Sequence, residues 1–323
     1  MAETTQSSAL FTNGSFLPLN SSISEHSTSA PTNGVLDVGH YQSANGSNES
    51  LAQYQFPINK MQRVLKNPAK TPLCLVACGS FSPITYLHLR MFEMAADYVR
   101  HKTQFEFVGG FFSPVGDAYK KVGLARAYDR IKMCELATET TTSKTLNVDP
   151  WEALQTEYQP TAIVLDHFEH ELNEVNGGIA CPDGTRKPIR VALLAGADLI
   201  ETMSTPNLWS EQDLNHILGR YGSFIVERSG TDIDAALASL KSWRKNIYVI
   251  KQFINNDVSS TKIRNFLKKD MSVSYLVPVP VVEYIRDHGL YEGDGTTGSL
   301  EDLLAEQNPI EEDIKIDGVA NHG

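Results

Sequence analysis

Two short stretches hold residue types that can handle phosphate. The first, CGSFSPITYLHLRMFE at 78–93, places a single histidine, His88, shortly after a glycine and two serines. The second, NNDVSSTKIRNFL at 255–267, sets Ser259, Ser260 and Thr261 directly ahead of Lys262 and Arg264. A helix N-terminus leaves backbone N–H groups free and carries a partial positive charge, a combination that suits an anion. In the first stretch, His88 can donate a hydrogen bond to such an anion. In the second, hydroxyls and two cations at one helix start make a seat for a polyphosphate. Each stretch alone also has a plainer meaning. His88 can be a core histidine bonded to a carbonyl, and Lys262 and Arg264 the solvated charges of a capped helix.

Elements that could position these residues follow from the apolar pattern. LCLVAC (73–78), FEFVGGFF (105–112), TLNV (145–148), IRVALLAG (189–196), GSFIVE (222–227) and NIYVI (246–250) read as strands. Helical periodicity is predicted near 86–100, 124–138, 160–175, 197–204, 232–244, 260–269 and 280–288. Strands apolar on both faces and separated by helices predict one α/β domain of the doubly wound, Rossmann-like type, its mostly parallel sheet covered on both sides. Ligands on such sheets bind beyond the carboxyl ends of the strands. Both stretches begin just after a strand. In the first helix, Arg90, Glu93, Asp97 and Arg100 form a polar stripe, and His88 falls opposite it, in the first turn.

Charge is unevenly spread. The formal net charge is -11, yet 1–59 contain no Lys or Arg and the tail from Glu292 is strongly acidic, so 60–291 is nearly neutral. Eleven serines fall in the first fifty residues. So little apolar material cannot offset chain entropy, and 1–65 is expected to be disordered. The expected organisation is one folded domain over 66–291 and a flexible acidic tail over 292–323. No apolar run reaches bilayer length, and the N-terminus lacks the features of a signal peptide or presequence. Cytoplasm, nucleus or both are expected, with no membrane partner. Cys74, Cys78, Cys134 and Cys181 are scattered and are expected to be reduced thiols. Basic clusters are too thin for nucleic-acid binding. Neither GxGxxG nor a P-loop is present, and no Ser/His/Asp or metal-ligand spacing stands out.

Taken together, the two stretches resemble the signatures of the eukaryotic nicotinamide/nicotinate mononucleotide adenylyltransferases, within the nucleotidylyltransferase superfamily. TYLH places Thr85 and His88 at the ends of the superfamily's [H/T]-x-G-H pattern, with Leu87 in place of its glycine. SSTKIR resembles the second signature. SPVGDAYKKVGL (113–124), VDPWEALQ (148–155), LLAGADLIE (193–201), PNLW (206–209) and SYLVP (274–278) extend the likeness over 73–291. The wording at 78–94 is closest to fungal members.

That resemblance implies adenylyl transfer from ATP to nicotinamide or nicotinate mononucleotide, with Mg²⁺ on the ATP phosphates and relatives that form homo-oligomers. It implies catalytic roles for His88, Lys262 and Arg264. Gly79, Ser80, His88, Thr261, Lys262, Ile263 and Arg264 would bind ATP. Gly79, Ser80, Tyr119, Lys121, Trp151, Gly196, Asp198, Leu208, Trp209 and Asn256 would border the mononucleotide or dinucleotide, the two tryptophans sandwiching the pyridine ring. Other readings keep the scaffold: a nucleotidylyltransferase for another phosphate acceptor, or a non-catalytic binding or chaperone-like protein.

Overall fold

The structure is a computed structural model that describes residues 53–228 and 232–293. Most of the expected disordered head and nearly all of the acidic tail lie outside the described residues. Eight strands are present: β1 (Thr71–Gly79), β2 (Phe105–Pro114), β3 (Leu146–Val148), β4 (Ile179–Ala180), β5 (Arg186–Lys187), β6 (Arg190–Gly196), β7 (Ser223–Val226) and β8 (Ile247–Ile250). Six of them form one sheet in the order β3-β2-β1-β6-β7-β8, every neighbouring pair parallel. Parallel neighbours need long crossovers, and helices on both faces supply them. The result is an α/β Rossmann-like sheet whose chain order reverses between β1 and β6. Ligands of open α/β sheets bind at that reversal, outside the carboxyl ends.

The helices are α1 (Tyr86–Lys102), α2 (Ala127–Glu139), α3 (Thr161–Glu169), α4 (Ala197–Ser204), α5 (Glu211–Leu214), α6 (Ile233–Ser239), α7 (Ser260–Lys268) and α8 (Val279–Asp287). In α1 the deepest positions are Leu89, Phe92, Ala95 and Val99. Arg90, Glu93, Asp97 and Arg100 are exposed, as the stripe predicts. The buried line is rotated from the centre of the apolar face, which leaves His88 half-buried at the helix start. Phe92 packs edge-on to Phe112 of β2, ring centroids 4.9 Å apart. There is no room for a side chain opposite it: a Cβ at Gly110 would come within 2.5 Å of the Phe92 ring.

Two expectations are corrected, and two elements go beyond them. Residues 53–65, placed in the disordered head, pack on the domain. Met61 and Leu65 are buried, the Leu65 N–H donates to the Ala180 carbonyl at 2.8 Å, and Val64 bridges to Ala180. A few well-spaced apolar side chains suffice here because the domain provides ready-made sockets. The predicted helix over 160–175 is α-helical only to Glu169 and continues as a π-helical stretch over His170–Val175. A helical segment over 211–221, not foreseen, starts with Ser210 accepting from the Asp213 N–H at 3.0 Å. Its capping serine is an ordinary start signal, but the segment is too polar to show a clear stripe. The β4–β5 hairpin was equally invisible, two residues a strand being below any periodicity.

Candidate active site

Both stretches lie just beyond the carboxyl ends of strands, the first after β1 and the second after β8. Gly79 closes β1 and Gly196 closes β6, the two strands flanking the reversal. Between them a cleft of about 200 Å³ is lined by Gly79, Ser80, His88, Tyr119, Lys121, Gly196, Asp198, Glu227, Arg228, Gln252, Ser260, Thr261 and Arg264, among others. A Cβ at Gly196 would meet no protein atom within 4 Å, so the glycine leaves its space to the cleft. At Gly79 a Cβ would press on the Phe81 ring at 3.0 Å. Phe81 itself sits at φ 45°, in the left-handed region, ahead of a cis Ser82–Pro83 bond.

Direct bonds join the second stretch to the first. Ser260 Oγ donates to the Pro83 carbonyl at 2.8 Å, and Arg264 Nη1 donates to the Ser82 carbonyl at 2.8 Å. Arg264 Nη2 also reaches Thr261 Oγ1 at 3.3 Å. Ser259 caps α7 by accepting from the Lys262 N–H at 3.2 Å. The helix starts of α1 and α7 are thereby held as one unit across more than 170 residues of chain.

His88 has a defined tautomer. The Thr85 backbone N–H donates to His88 Nδ1 at 2.9 Å, and Thr85 Oγ1 lies 2.9 Å from the same nitrogen. A backbone N–H can only donate, so Nδ1 accepts and the ring proton resides on Nε2. Burial, reinforced by the Arg228 guanidinium, pushes the His88 pKa down to about 4. The neutral ring therefore presents an Nε2–H donor at neutral pH. Lys121 and Arg264 have pKa values below their ordinary ranges, first through burial; the Arg264 guanidinium also lowers that of Lys121. A cleft lined by cations in low dielectric is suited to a polyanion.

Not every expected residue reaches the cleft. Lys262 is exposed and paired with Asp257 Oδ2 at 2.5 Å. Ile263 is 1% exposed and serves the core under α7. Asn256 accepts from the Val258 N–H through Oδ1, shaping the loop before α7 from outside the cleft lining. Trp151, Leu208 and Trp209 also lie outside that lining. Trp151 rests flat on His167, and Trp209 Nε1 donates to Thr202 Oγ1 at 3.2 Å. Asp198 does reach the cleft, where it pairs with Arg228 Nη1 at 2.7 Å.

Several cleft or supporting residues escaped the sequence reading. Arg228 stands two residues beyond β7, and its Nη2 also donates to the Asp257 carbonyl at 3.2 Å, so it links the ends of β6, β7 and β8. The rule that located the other residues, to look just past each strand, would have found it. Gln252 Nε2 donates to the Glu227 carbonyl at 3.0 Å, and Gln252 Oε1 accepts from the Asn256 N–H at 2.7 Å. Arg130 is wholly buried in α2 and donates to the carbonyls of Ser80 and Ala125 and to Asp117 Oδ1. Glu152, beside Trp151, accepts from Ser113 Oγ at 2.5 Å, and burial pushes its carboxyl up to about 8. No spacing rule flags Arg130 or Glu152, because their partners are distant in sequence.

The four cysteines are unpaired, three of them buried and Cys78 half-buried at the cleft. Among the described residues no cluster of three metal-ligating side chains occurs, and no helix is long and apolar enough to cross a membrane.

Comparison with known proteins places this geometry in a family. A cytidylyltransferase-like family model matches residues 76–266. A Saccharomyces cerevisiae nicotinamide/nicotinic acid mononucleotide adenylyltransferase is 54% identical over 245 residues, covering 75% of this chain and 62% of the relative. The Schizosaccharomyces pombe counterpart is 54% identical over 244 residues, covering 66% of its own length. The chain's match thus spans just under two thirds of these fungal relatives. A Bos taurus member is 39% identical over 272 residues, covering 75% of this chain and 96% of the relative. Among solved structures, Plasmodium falciparum nicotinic acid mononucleotide adenylyltransferase complexed with NaAD has the same fold, with a TM-score of 0.51, 22% identity, and coverage of 68% of this chain and 97% of that one. With the two signatures bonded to each other at the reversal of a parallel sheet, and relatives of this identity along most of its length, the chain belongs to the eukaryotic nicotinamide/nicotinic acid mononucleotide adenylyltransferases of the nucleotidyltransferase superfamily.

Proposed function

We propose that this chain transfers the adenylyl group of ATP to nicotinamide mononucleotide, nicotinate mononucleotide or both, giving NAD or deamido-NAD and pyrophosphate. The observation that carries the reading is the bonded pair of helix starts, with His88 Nε2–H and Arg264 in one cleft. A phosphate monoester is already ionised at neutral pH, so the acceptor needs no protein base. One of its oxygens attacks the α-phosphorus of ATP; a new P–O bond forms as the bond to the bridging oxygen breaks, and pyrophosphate leaves with that electron pair. Catalysis then reduces to alignment and to stabilising charge on phosphoryl oxygens.

His88, neutral and donating through Nε2, suits a phosphoryl oxygen of ATP. The α7 N-terminus with Ser260 and Thr261, together with Arg264, suits the departing pyrophosphate. Lys121 and Tyr119 border the acceptor side, and Asp198 can accept from a ribose hydroxyl once Arg228 shares it. A divalent cation such as Mg²⁺ would be held mostly by the triphosphate and water, where it would neutralise developing charge; among the described residues no three-ligand protein cluster occurs. The test is product formation from ATP with each mononucleotide and with non-pyridine phosphate acceptors. Dinucleotide and pyrophosphate in equal amounts are expected; activity confined to a non-pyridine acceptor would overturn the reading.

A further inference from the structure

Behind Trp151 lies a buried polar group that phosphate handling does not use. His167 of α3 lies flat against the indole, ring centroids 4.1 Å apart and planes 6° apart. Its Nε2 is 3.0 Å from Asp149 Oδ2 and 3.0 Å from the Tyr54 hydroxyl. Asp149 is 1% exposed, and its Oδ1 accepts from the backbone N–H of Trp151 itself at 3.2 Å. The backbone N–H of Asp149 donates to the Phe112 carbonyl at 2.9 Å, which seats the carboxylate at the end of β2. Phe56 and Phe168 stand edge-on around the imidazole, at 5.9 Å and 5.5 Å. Burial, with Asp149 nearby, pushes the Tyr54 pKa up, so its hydroxyl keeps its proton.

A buried carboxylate is costly unless donors surround it. Here the Trp151 N–H, the His167 ring and the Tyr54 hydroxyl gather about one, and each is thereby oriented. An indole pinned on one face by a parallel ring can accept a second ring only on the opposite face. Fixing that face in advance removes the cost of ordering the side chain when a ligand arrives. We propose that His167, held by Asp149 and Tyr54, is a positioning residue that presents the outer face of Trp151 to the pyridine ring of the mononucleotide. Through Tyr54, the 53–65 segment becomes part of the acceptor site. The proposal rests on the adenylyl-transfer reading and deepens it.

The experiment is steady-state kinetics on the full chain, wild type against His167→Leu and Tyr54→Phe, varying each mononucleotide at saturating ATP and then ATP at saturating mononucleotide. Removing the flat platform with His167→Leu should raise the mononucleotide KM about tenfold, the scale of one lost aromatic stacking contact. The ATP KM and kcat should stay within about twofold. Tyr54→Phe keeps ring and volume, and should give the same split at about threefold; it carries the test if the leucine variant fails to fold. Equal changes in both KM values, or no change in either, would overturn the proposal. Tryptophan fluorescence titrated with mononucleotide alone reads the same stacking without turnover. If the wild type forms no dinucleotide, the functional reading fails, while unaltered fluorescence affinity in both variants would sink the positioning role separately.

Discussion

The phosphate end and the ring end of this molecule are built by different means. At the phosphate end, backbone groups do the holding: the Thr85 N–H fixes His88, and the carbonyls of Ser82 and Pro83 tie down Arg264 and Ser260. At the ring end, Trp151 leans on His167 and Trp209 bonds Thr202, and neither lines the cleft. Charge stabilisation in a transition state needs donors placed in advance, since reorganisation would consume the gain. Ring stacking can use a side-chain-built seat, because its energy is spread over the area of the rings rather than focused on one developing charge. The first region is expected to respond to mutation in kcat, the second in KM.

His88→Ala should break the comparison hardest. Loss of the single Nε2–H donor is expected to lower kcat by about 10²–10³-fold, the range for one pre-placed donor. Thermal stability should drop only modestly, since the lost capping interaction is worth about 1 kcal/mol. A kcat within a few-fold of wild type would remove His88 from the chemistry. Arg264→Ala should come next, with kcat/KM for ATP down about 10–100-fold; it deletes a cleft cation and also unties α7 from the Ser82 carbonyl.

Arg228→Gln sharpens the contrast at the boundary. It releases Asp198 and removes a positive neighbour of His88, so the His88 pKa should rise from about 4, measured by NMR titration of the ring. Lys262→Ala should do least at the phosphate end, about threefold or less, because its ammonium is exposed and engaged with Asp257. Equal losses for Lys262→Ala and Arg264→Ala would show that Lys262 swings into the cleft during turnover.

At the ring end, Glu152 makes a pH-dependent prediction. Its folded pKa, about 8, lies above the ordinary carboxyl value of 4.5. The folded state therefore binds the proton more tightly than the unfolded chain between those values. Its contribution to stability is complete below pH 4.5 and is lost as pH rises through 8. Melting temperature should fall between pH 7 and pH 9 in wild type. Glu152→Gln, which copies the neutral acid, should flatten that fall, as differential scanning calorimetry at the two pH values would show.

Strand and helix positions in the sheet were legible because long apolar runs and 3.6-residue stripes leave few alternatives, as in FEFVGGFF and 86–100. Short or polar elements were not: β4, β5 and the 211–221 segment carry too few apolar residues to show a period. Within the site, His88, Gly79 and the SSTKIR stretch could be found because strand-to-helix joins are local events. Arg130 and His167 could not, because each earns its place from partners far along the chain.

Residue chemistry and local order alone placed two capped helix starts just past strands of a parallel sheet, since caps, glycines and apolar periods act over a few residues. Which donors converge was left to tertiary structure. Only folding sets Arg264 against the Ser82 carbonyl, turns Lys262 out to Asp257, and slides His167 beneath Trp151. Those choices depend on the register of distant strands, where one residue's shift would turn a side chain to the opposite face.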